Sequence, residues 1–458
     1  MIQTSTYSLE WIYEVERNLG KKKIDPKLIE KVIYALQFLE QLKLNKLEFT
    51  FKGGTALLLA TKVPKRFSID IDIITEQTQS EIETILEKIS KESIFTHWED
   101  DNNRKHAPDA PIGHFKMYYT SNVDGSVEPI LLDVLYTPNP YPEVMEIPIA
   151  HDWIQTTGEI LTVQMPTFDA ILGDKLTAFA PKTTGILYSK NRPVEIIKQL
   201  YDIAFLLDNM TDLNVIRNSY NNIVDEEIKF RKLALSKIQI LEDTQNASYV
   251  LSTRNVNSEE FKHLQLGISN FTNFTISRFN IEDAIIASSK AAYLAEILKS
   301  KGTKKEAYTN PMEVKDWQIE SQQFQKLNKL KKNNPEAFFY WYKTVSIFVK
   351  NNLVLSSHEA KVLSVAIDYY RSREGSYSGE DSLSMLKEKL KGIDKFISYN
   401  KKGIELMLTV VNENITFMDN YEYKGLLPEQ AISNKQEILE PLLNLRKKIL
   451  KFINSQNG

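Results

Sequence analysis

The chain has 458 residues, of which 42% are hydrophobic and 26% charged, and its formal net charge is −3 at pH 7. A chain of this length can bury enough apolar surface for two or three domain-sized units. The near balance of acidic and basic residues excludes a polycation that coats nucleic acid over its whole surface. The absence of cysteine excludes disulfides, thiol nucleophiles and cysteine-ligated metal centres. We find no secretory leader and no apolar run of about 18 residues, so we expect a soluble, cytoplasmic protein that does not span a membrane.

The first part of the chain alternates between helical and strand patterns. Apolar residues recur at helical spacing over 26–43, a run that opens with proline, and over 80–91. A further short helix, TALLLATK, follows a glycine turn. Strands are predicted at LEFTFK, FSIDIDIIT, GHFKMYYTS and EPILLDVLYT. This order of elements predicts a small mixed α/β domain.

Beyond about residue 168 the pattern becomes almost wholly helical. Helices are predicted over 168–182, 194–209, 280–300, 336–350, 356–371, 381–398 and 434–456. We therefore predict an α+β protein, with a small mixed sheet flanked by helices and a large all-helical C-terminal region. The predicted divisions are residues 1–165 for the α/β core, 166–210 for helices that complete its site, and 211–458 for the helical region, with a further division expected near 310.

A glycine turn and a pair of aspartates carry the first chemical signal. A strand runs into Gly53 and Gly54, and Thr55 opens a helix, so backbone N–H groups at the helix N-terminus can approach an anion. Asp70 and Asp72 lie two positions apart on the next predicted strand and therefore point to one face. Their mutual repulsion is costly unless a cation lies between them, and Mg²⁺ prefers such oxygen ligands.

A third acid, Asp133, interrupts the hydrophobic strand EPILLDVLYT. A buried carboxylate without a partner is unfavourable, so Asp133 requires a cation or a hydrogen-bond donor. With Asp70 and Asp72 it would form a two-metal site, in which ions about 3.5–4 Å apart act on the attacking oxygen and the leaving pyrophosphate. The alternative is a structural ion pair with a nearby basic residue. Lys116, on the preceding strand, either reaches this site or is an exposed strand lysine.

The residues in this order closely resemble the signature of the AbiEii/AbiGii-type nucleotidyltransferase toxins. The resemblance rests on Phe51–Leu57, Arg66–Ser68 and Asp70–Asp72, and similarity extends over roughly residues 25–210. These toxins belong to the DNA polymerase β-like nucleotidyltransferase superfamily and act in toxin–antitoxin and phage-abortive-infection systems; the MenT toxins are relatives. The resemblance implies a polymerase β-like nucleotidyltransferase domain.

The resemblance continues into two helices. The segment GDKLTAF supplies Lys175, and QLYDI supplies Asp202. By resemblance, Lys175 neutralises charge on the leaving pyrophosphate, and Asp202 orients Lys175 or the nucleotide. A plain interhelix salt bridge between these two residues is the alternative. Where the family has an arginine before the Tyr-Asp pair, this chain has Lys198 and Gln199.

The resemblance thus implies a complete set of site residues. The cofactor would be Mg²⁺ or Mn²⁺ bound by Asp70, Asp72 and Asp133, the last of which completes the metal site or serves as a base. The NTP substrate would be held by Gly53, Gly54, Thr55, Arg66 and Ser68. The catalytic residues would be Asp70, Asp72, Asp133, Lys175 and Asp202.

The family also implies a reaction and partners. NMP would move from NTP to an acceptor, the 3′ end of tRNA or another RNA, which would block translation, and a cognate antitoxin would be the protein partner. Nucleotidylation of a protein or of a small molecule is the alternative within this class. An NTP-binding sensor or scaffold without turnover is the alternative outside it.

Two weaker signals remain. Residues 326–350 combine lysines with an aromatic run, and such a segment either holds RNA phosphates and stacks bases or is a buried helix beside a solvated lysine-rich turn. The six histidines include no H-E-x-x-H motif and no pair four residues apart, so a zinc enzyme is not expected.

Overall fold

The protein divides into two compact units. The computed structural model describes residues 1–20, 24–102, 111–300, 302, 304–353, 355–374, 380–390, 401–420 and 428–456. One unit comprises Met1–Ala247 with Arg254–Ala291, and the other comprises Ser248–Thr253 with Ala292–Gly458. The predicted division at 210 therefore falls within the first unit. No helix in the described part of the chain is long and apolar enough to cross a bilayer.

Seven strands in the described part of the first unit form one mixed sheet. They are β1 (Thr50–Lys52), β2 (Ile71–Thr75), β3 (His97–Asp100), β4 (Ile112–Thr120), β5 (Val127–Tyr136), β6 (Val144–Pro148) and β7 (Thr162–Pro166). Their order in the sheet is β3-β4-β5-β2-β1-β7-β6. At the centre, β2 runs parallel to β5 and antiparallel to β1.

Helices account for most of the remaining described residues. Up to residue 299 they are α1 (Leu9–Asn18), α2 (Pro26–Leu44), α3 (Gly53–Ala60), α4 (Gln79–Glu92), α5 (Phe168–Ala178), α6 (Pro193–Asp208), α7 (Leu213–Arg231), α8 (Lys237–Thr253), α9 (Glu259–Phe271) and α10 (Ile281–Lys299). Beyond it they are α11 (Leu330–Asn333), α12 (Pro335–Asn351), α13 (Ser357–Glu374), α14 (Glu380–Leu390), α15 (Lys401–Asn420) and α16 (Pro428–Gln456). The predicted α+β class with a helical C-terminal region is confirmed.

Several helices begin where the local sequence predicts a start. Asp25 accepts a hydrogen bond from the backbone of Lys27, and Pro26 occupies the first turn of α2. Thr78 and Glu81 form a reciprocal capping box at α4, and Thr167 caps α5. These side chains satisfy backbone N–H groups that have no partner inside the helix.

One face of the sheet is closed by apolar packing. Ile71 and Ile73 alternate along β2 and are fully buried on this face. Helix α2 covers it, and the ring of Tyr34 stacks on Tyr119 of β4 with ring centroids 3.7 Å apart. The opposite face is covered only in part, because Ile74 clusters with Ala170 of α5 and with α7. The part of that face next to Asp72 lines a cleft.

Most predicted elements are confirmed, and the differences have physical reasons. The strand predicted over FSIDIDIIT is shorter, since β2 begins at Ile71. Strands β3, β6 and β7 have no predicted counterpart; β3 and β6 lie at the two edges of the sheet, where exposed side chains weaken the alternating pattern. Helices α1, α7, α8, α9, α11 and α15 also have no predicted counterpart. Of the helix predicted over 381–398, residues 391–398 lie outside the described residues.

The aromatic run of the second unit is buried, not exposed. Phe338, Phe339, Tyr340 and Trp341 of α12 are at most 4% exposed, so their rings cannot stack on bases. The indole N–H of Trp341 donates to the hydroxyl of Ser252. The nucleic-acid interpretation of these four aromatic residues is therefore wrong. A separate apolar cluster holds α13 to α16 together through Leu363, Ile367, Leu383, Met407, Val410, Val411, Leu445 and Ile449.

We expect Tyr34→Ala to lower the free energy of unfolding of the first unit by about 3–5 kcal/mol, because truncating a buried aromatic side chain leaves a cavity. Urea denaturation followed by circular dichroism measures the change. Tyr13→Ala, at an exposed tyrosine of α1, is the matched control and should change stability by less than about 1 kcal/mol. Equal losses in the two variants would contradict the packing of α2 on β4.

Candidate active site

Four side chains lie in one row across the sheet. Lys52 of β1 is paired in register with Asp72 of β2, and Asp72 with Asp133 of β5. Asp133 is in turn opposite His114 of β4. Because residues in register point to the same face of a sheet, the two carboxylates lie side by side between a lysine and a histidine.

The row lines a cleft of about 930 Å³ in the first unit. Its walls include backbone and side chains from the sheet, from the start of α3, and from α5, α6 and α9. Of the residues predicted from the sequence, those lining the cleft are Gly53, Gly54, Arg66, Ser68, Asp70, Asp72, Asp133 and Lys175. The structure thus brings together eight of the ten predicted residues, and Thr55 and Asp202 lie behind them.

The glycine turn lies directly against the acidic row. Gly53 has φ +80°, and a Cβ atom there would lie 2.2 Å from Oδ2 of Asp72. A Cβ atom on Gly54 would lie 2.4 Å from a guanidinium nitrogen of Arg66 and 2.5 Å from the hydroxyl oxygen of Ser68. Both positions therefore exclude a side chain. Lys52 is the N-cap residue of α3. Its side chain does not accept a hydrogen bond from the backbone N–H groups in the first turn of this helix.

Thr55 supports the site from inside the protein. Its side chain is fully buried, and its hydroxyl donates to the backbone carbonyl of Asp70 at 2.6 Å. Asp70 itself precedes the first residue of β2 and lines the cleft. The hydroxyl of Thr55 thus holds the chain segment that carries Asp70.

A buried network of charges joins the loop before β2 to two helices. Arg66 donates through two nitrogens to the two carboxylate oxygens of Asp202, each at 2.7 Å, and through the third to the carbonyl of Phe67. Lys175 of α5 lies 3.1 Å from Asp202 of α6 and donates to Gln199 at 2.9 Å. Burial alone would raise the pKa of Asp202, but Arg66 and Lys175 outweigh burial and lower it. The expected interhelix ion pair is present, and Arg66 is its second cation.

Lys52 has a looser environment than Lys175. Its ammonium group lies 4.0 Å from Asp174, whose carboxylate accepts a 2.6 Å hydrogen bond from Tyr141. Burial opposes the charge of Lys52, but the carboxylates of Asp174 and Asp72 outweigh it and raise the pKa of the lysine. The charged ammonium group of Lys52 is therefore held at the end of the row, beside the glycine turn.

The acidic row is crowded. Burial, together with the negative charges of Asp133 and Asp70, raises the pKa of Asp72 to about 7, although Lys52 and Lys175 act in the opposite direction. A carboxyl group so placed is ionised at neutral pH only in part. A cation that binds there would remove the repulsion.

Without a substrate, the acidic side chains supply only part of the ligands that a divalent cation needs. Asp72 and Asp133 supply hard oxygen ligands side by side. Among the residues that the structure describes, however, no three acidic or histidine side chains converge into a ready-made metal centre. Mg²⁺ is commonly held by one or two carboxylates plus substrate phosphates, so two in-register carboxylates beside a glycine turn are compatible with it.

Several residues of the site have no predicted role. His114 bonds to Asp133, Gln199 bonds to Lys175, and Lys52 and Asp174 line the cleft. The alternation in GHFKMYYTS that brings Lys116 to one face also brings His114 there, which is the signal that could have identified it. Lys116 itself pairs with Asp101 at 3.1 Å. The basic residues Arg192 and Lys198 at the start of α6 complete the lining.

We expect Asp72→Asn to stabilise the protein without divalent cations, and more at about pH 8 than at about pH 5. Folding raises the pKa of Asp72 from about 4 to about 7, so its contribution to stability is present below about pH 4 and is lost as the pH rises through 7. Asparagine cannot ionise and avoids that loss. The gain in Tm over the wild type, measured by thermal unfolding in a chelator, should be several degrees larger at the higher pH. An equal gain at both pH values, or a gain matched by Asp225→Asn on the exposed face of α7, would contradict the crowding.

Comparisons with known proteins place the chain in a family. The sequence model of the nucleotidyl transferase AbiEii toxin of type IV toxin–antitoxin systems matches residues 37–269. Two crystal structures from Helicobacter pylori are similar at 14% identity: a candidate nucleotidyltransferase (TM-score 0.35, covering 60% of this chain and 94% of that one) and JHP933 (TM-score 0.34, covering 61% and 94%). None of the curated proteins compared with the chain matches it.

The family match agrees with the family predicted from the sequence and includes all the predicted site residues. It extends over just over half of the chain and includes the whole acidic row. The protein therefore belongs to the AbiEii family of nucleotidyltransferase toxins.

Proposed function

We propose that this nucleotidyltransferase transfers NMP from an NTP to the 3′ end of tRNA, in a Mg²⁺-dependent reaction that releases pyrophosphate. The observation that carries the proposal is the pair Asp72 and Asp133, in register beside the turn of Gly53 and Gly54. Carboxylates for a divalent cation and backbone N–H groups for phosphates are the two requirements of the reaction. The RNA acceptor, and the block of translation that follows, come from the resemblance to the family.

Each side of the cleft has a task in the proposed reaction. Asp70, Asp72 and Asp133 would hold Mg²⁺ or Mn²⁺ together with the phosphates of the NTP, and the ion would neutralise charge on the phosphate oxygens. Asp133 would complete this metal site or serve as the base that takes the proton of the attacking hydroxyl. The backbone of Gly53 and Gly54 holds the triphosphate.

The basic side of the cleft acts on the leaving group. Lys175 lines the cleft while its ammonium group is fixed by Asp202 and Gln199, and Ser68 lies beside Gly54 with its hydroxyl towards the same turn. A positively charged group held in place stabilises charge as it develops on the departing pyrophosphate. Arg66 and Asp202 hold Lys175 and the turn in position.

Family membership also implies an antitoxin partner. We propose a cognate protein for this role, encoded beside the gene for this chain. Co-expression of the neighbouring reading frame with the toxin should restore growth of cells that the toxin arrests.

The proposal is tested by incubating the purified protein with total RNA, Mg²⁺ and each NTP in turn, labelled at the α-phosphate. Label in the tRNA band is expected with the wild type, and Asp72→Asn should reduce it at least about 100-fold, because the ion contributes several kcal/mol of charge stabilisation. Asp225→Asn, on the exposed face of α7, should keep the wild-type rate.

Other outcomes identify the alternatives. Label in a protein band or in a small molecule would show that the acceptor is not tRNA, while the transfer reaction itself would stand. NTP that binds and stays intact in every mixture would overturn the transferase and favour a nucleotide-binding sensor.

Two glycines with similar positive φ values give a second test. Gly53 has φ +80° and Gly125 has φ +76°, but only at Gly53 does a Cβ atom meet the carboxylate of Asp72. We expect Gly125→Ala to lose about 1 kcal/mol of stability, since alanine tolerates positive φ poorly, and Gly53→Ala to lose at least as much. Gly53→Ala alone should also lose transfer activity, by about 100-fold or more, because Asp72 must move. Equal activity of the two variants in the labelling assay would argue against the role of Asp72.

A further inference from the structure

We propose that His114 is a positioning residue, which holds the carboxylate of Asp133 in the orientation that nucleotide transfer requires; this inference rests on the proposed function. Nδ1 of His114 lies 2.7 Å from Oδ1 of Asp133, and the two residues are directly opposite each other in the β4–β5 pair. In the tautomer with its proton on Nδ1, the imidazole donates this hydrogen bond to the carboxylate oxygen.

Asp133 is subject to two opposite influences. The strand β5 lies between β2 and β4, so Asp72 is on one side of Asp133 and His114 on the other. The carboxylate of Asp72 would repel that of Asp133 and turn it away, whereas the contact with His114 keeps it in place. The bond also occupies Oδ1 and leaves Oδ2 as the oxygen that can turn to an ion or to an attacking hydroxyl.

The backbone of His114 is itself held in place by hydrogen bonds. The backbone N–H of His114 donates to the side-chain oxygen of Asn102 at 2.9 Å, and its carbonyl accepts from the backbone of Asp101 at 2.8 Å. Asp101 is in turn paired with Lys116, two residues along β4. The side chain of His114 is only 16% exposed. A donor on a paired strand, with bonds on both backbone groups, is suited to fix another side chain within a fraction of an ångström.

The expected effect follows from the general behaviour of carboxylates in such sites. A metal-binding carboxylate is usually hydrogen-bonded by a neighbouring group, and loss of that group lowers metal affinity or activity by about 10–100-fold. Lys52 cannot replace His114 in this task, because Lys52 lies at the other end of the row, beside Asp72.

Three variants test the inference. His114→Leu removes the donor and keeps similar bulk. His114→Asn restores a donor, because the amide nitrogen of asparagine is separated from Cα by the same number of bonds as Nδ1 of histidine. His97→Leu, at an exposed histidine of the adjacent strand β3, is the control. For each variant, kcat, the Mg²⁺ concentration for half-maximal rate, thermal unfolding, and Mn²⁺ binding by electron paramagnetic resonance without turnover are measured.

We expect His114→Leu to lower kcat or to raise the half-maximal Mg²⁺ concentration by about 10–100-fold, and to weaken Mn²⁺ binding. His114→Asn should stay within about threefold of the wild type, and all three variants should unfold at similar temperatures. If His114→Asn falls as far as His114→Leu, or if His114→Leu matches the wild type, the inference is overturned while the transferase stands.

The remaining outcomes separate the inference from the proposed function. A wild type that binds Mn²⁺ but transfers nothing, with binding weakened in His114→Leu and kept in His114→Asn, would overturn the proposed function and support the positioning role at a metal site. A wild type that neither transfers nucleotide nor binds Mn²⁺ would overturn both.

Discussion

The cleft depends on the parallel pairing of β2 with β5, which sets two carboxylates side by side on one face of the sheet. Both strands are interior to the sheet, so neither can shift to relieve the repulsion between Asp72 and Asp133. Burial adds to that repulsion, and the pKa of Asp72 rises in consequence. Such an arrangement is unfavourable in the protein alone and becomes favourable when a cation binds. The folded protein therefore contains a local electrostatic repulsion that a bound cation would remove.

The rest of the site keeps this pair in place. Arg66, Asp202 and Lys175 form a buried network, in which removal of one charge would leave the others uncompensated at a cost of about 3–5 kcal/mol. The network joins the loop before β2 to α5 and α6, so the loop cannot move without disturbing both helices. Gly54 contributes because only a residue without a side chain leaves room for Arg66. Residues of the family signature therefore both stabilise the structure around the site and line the cleft.

The sequence predicted the local features of this site and not its non-local ones. Helical periodicity, capping residues and the alternation along β2, β4 and β5 identified many of the elements, and both Asp70 and Asp72 line the cleft. Strand order and register depend on pairings between distant segments, which no local pattern encodes. Lys116 and His114 share a face of β4, and only the register determines that His114 is the one opposite Asp133. The edge strands β3 and β6 escaped prediction for a related reason, since their exposed side chains follow no apolar alternation.

The incomplete metal centre fits the proposed reaction better than a complete one would. Two in-register carboxylates are too few ligands for a divalent ion, and among the described residues no three acidic or histidine side chains already converge on one point. An NTP without an ion would bring further negative charge to the crowded row, and an ion without an NTP would bind with an incomplete set of ligands. Bound together, the phosphates would supply further ligands while the ion would neutralise both the phosphates and Asp72. The same electrostatic crowding that makes Asp72 costly in the protein alone therefore selects the ion and the nucleotide as one complex.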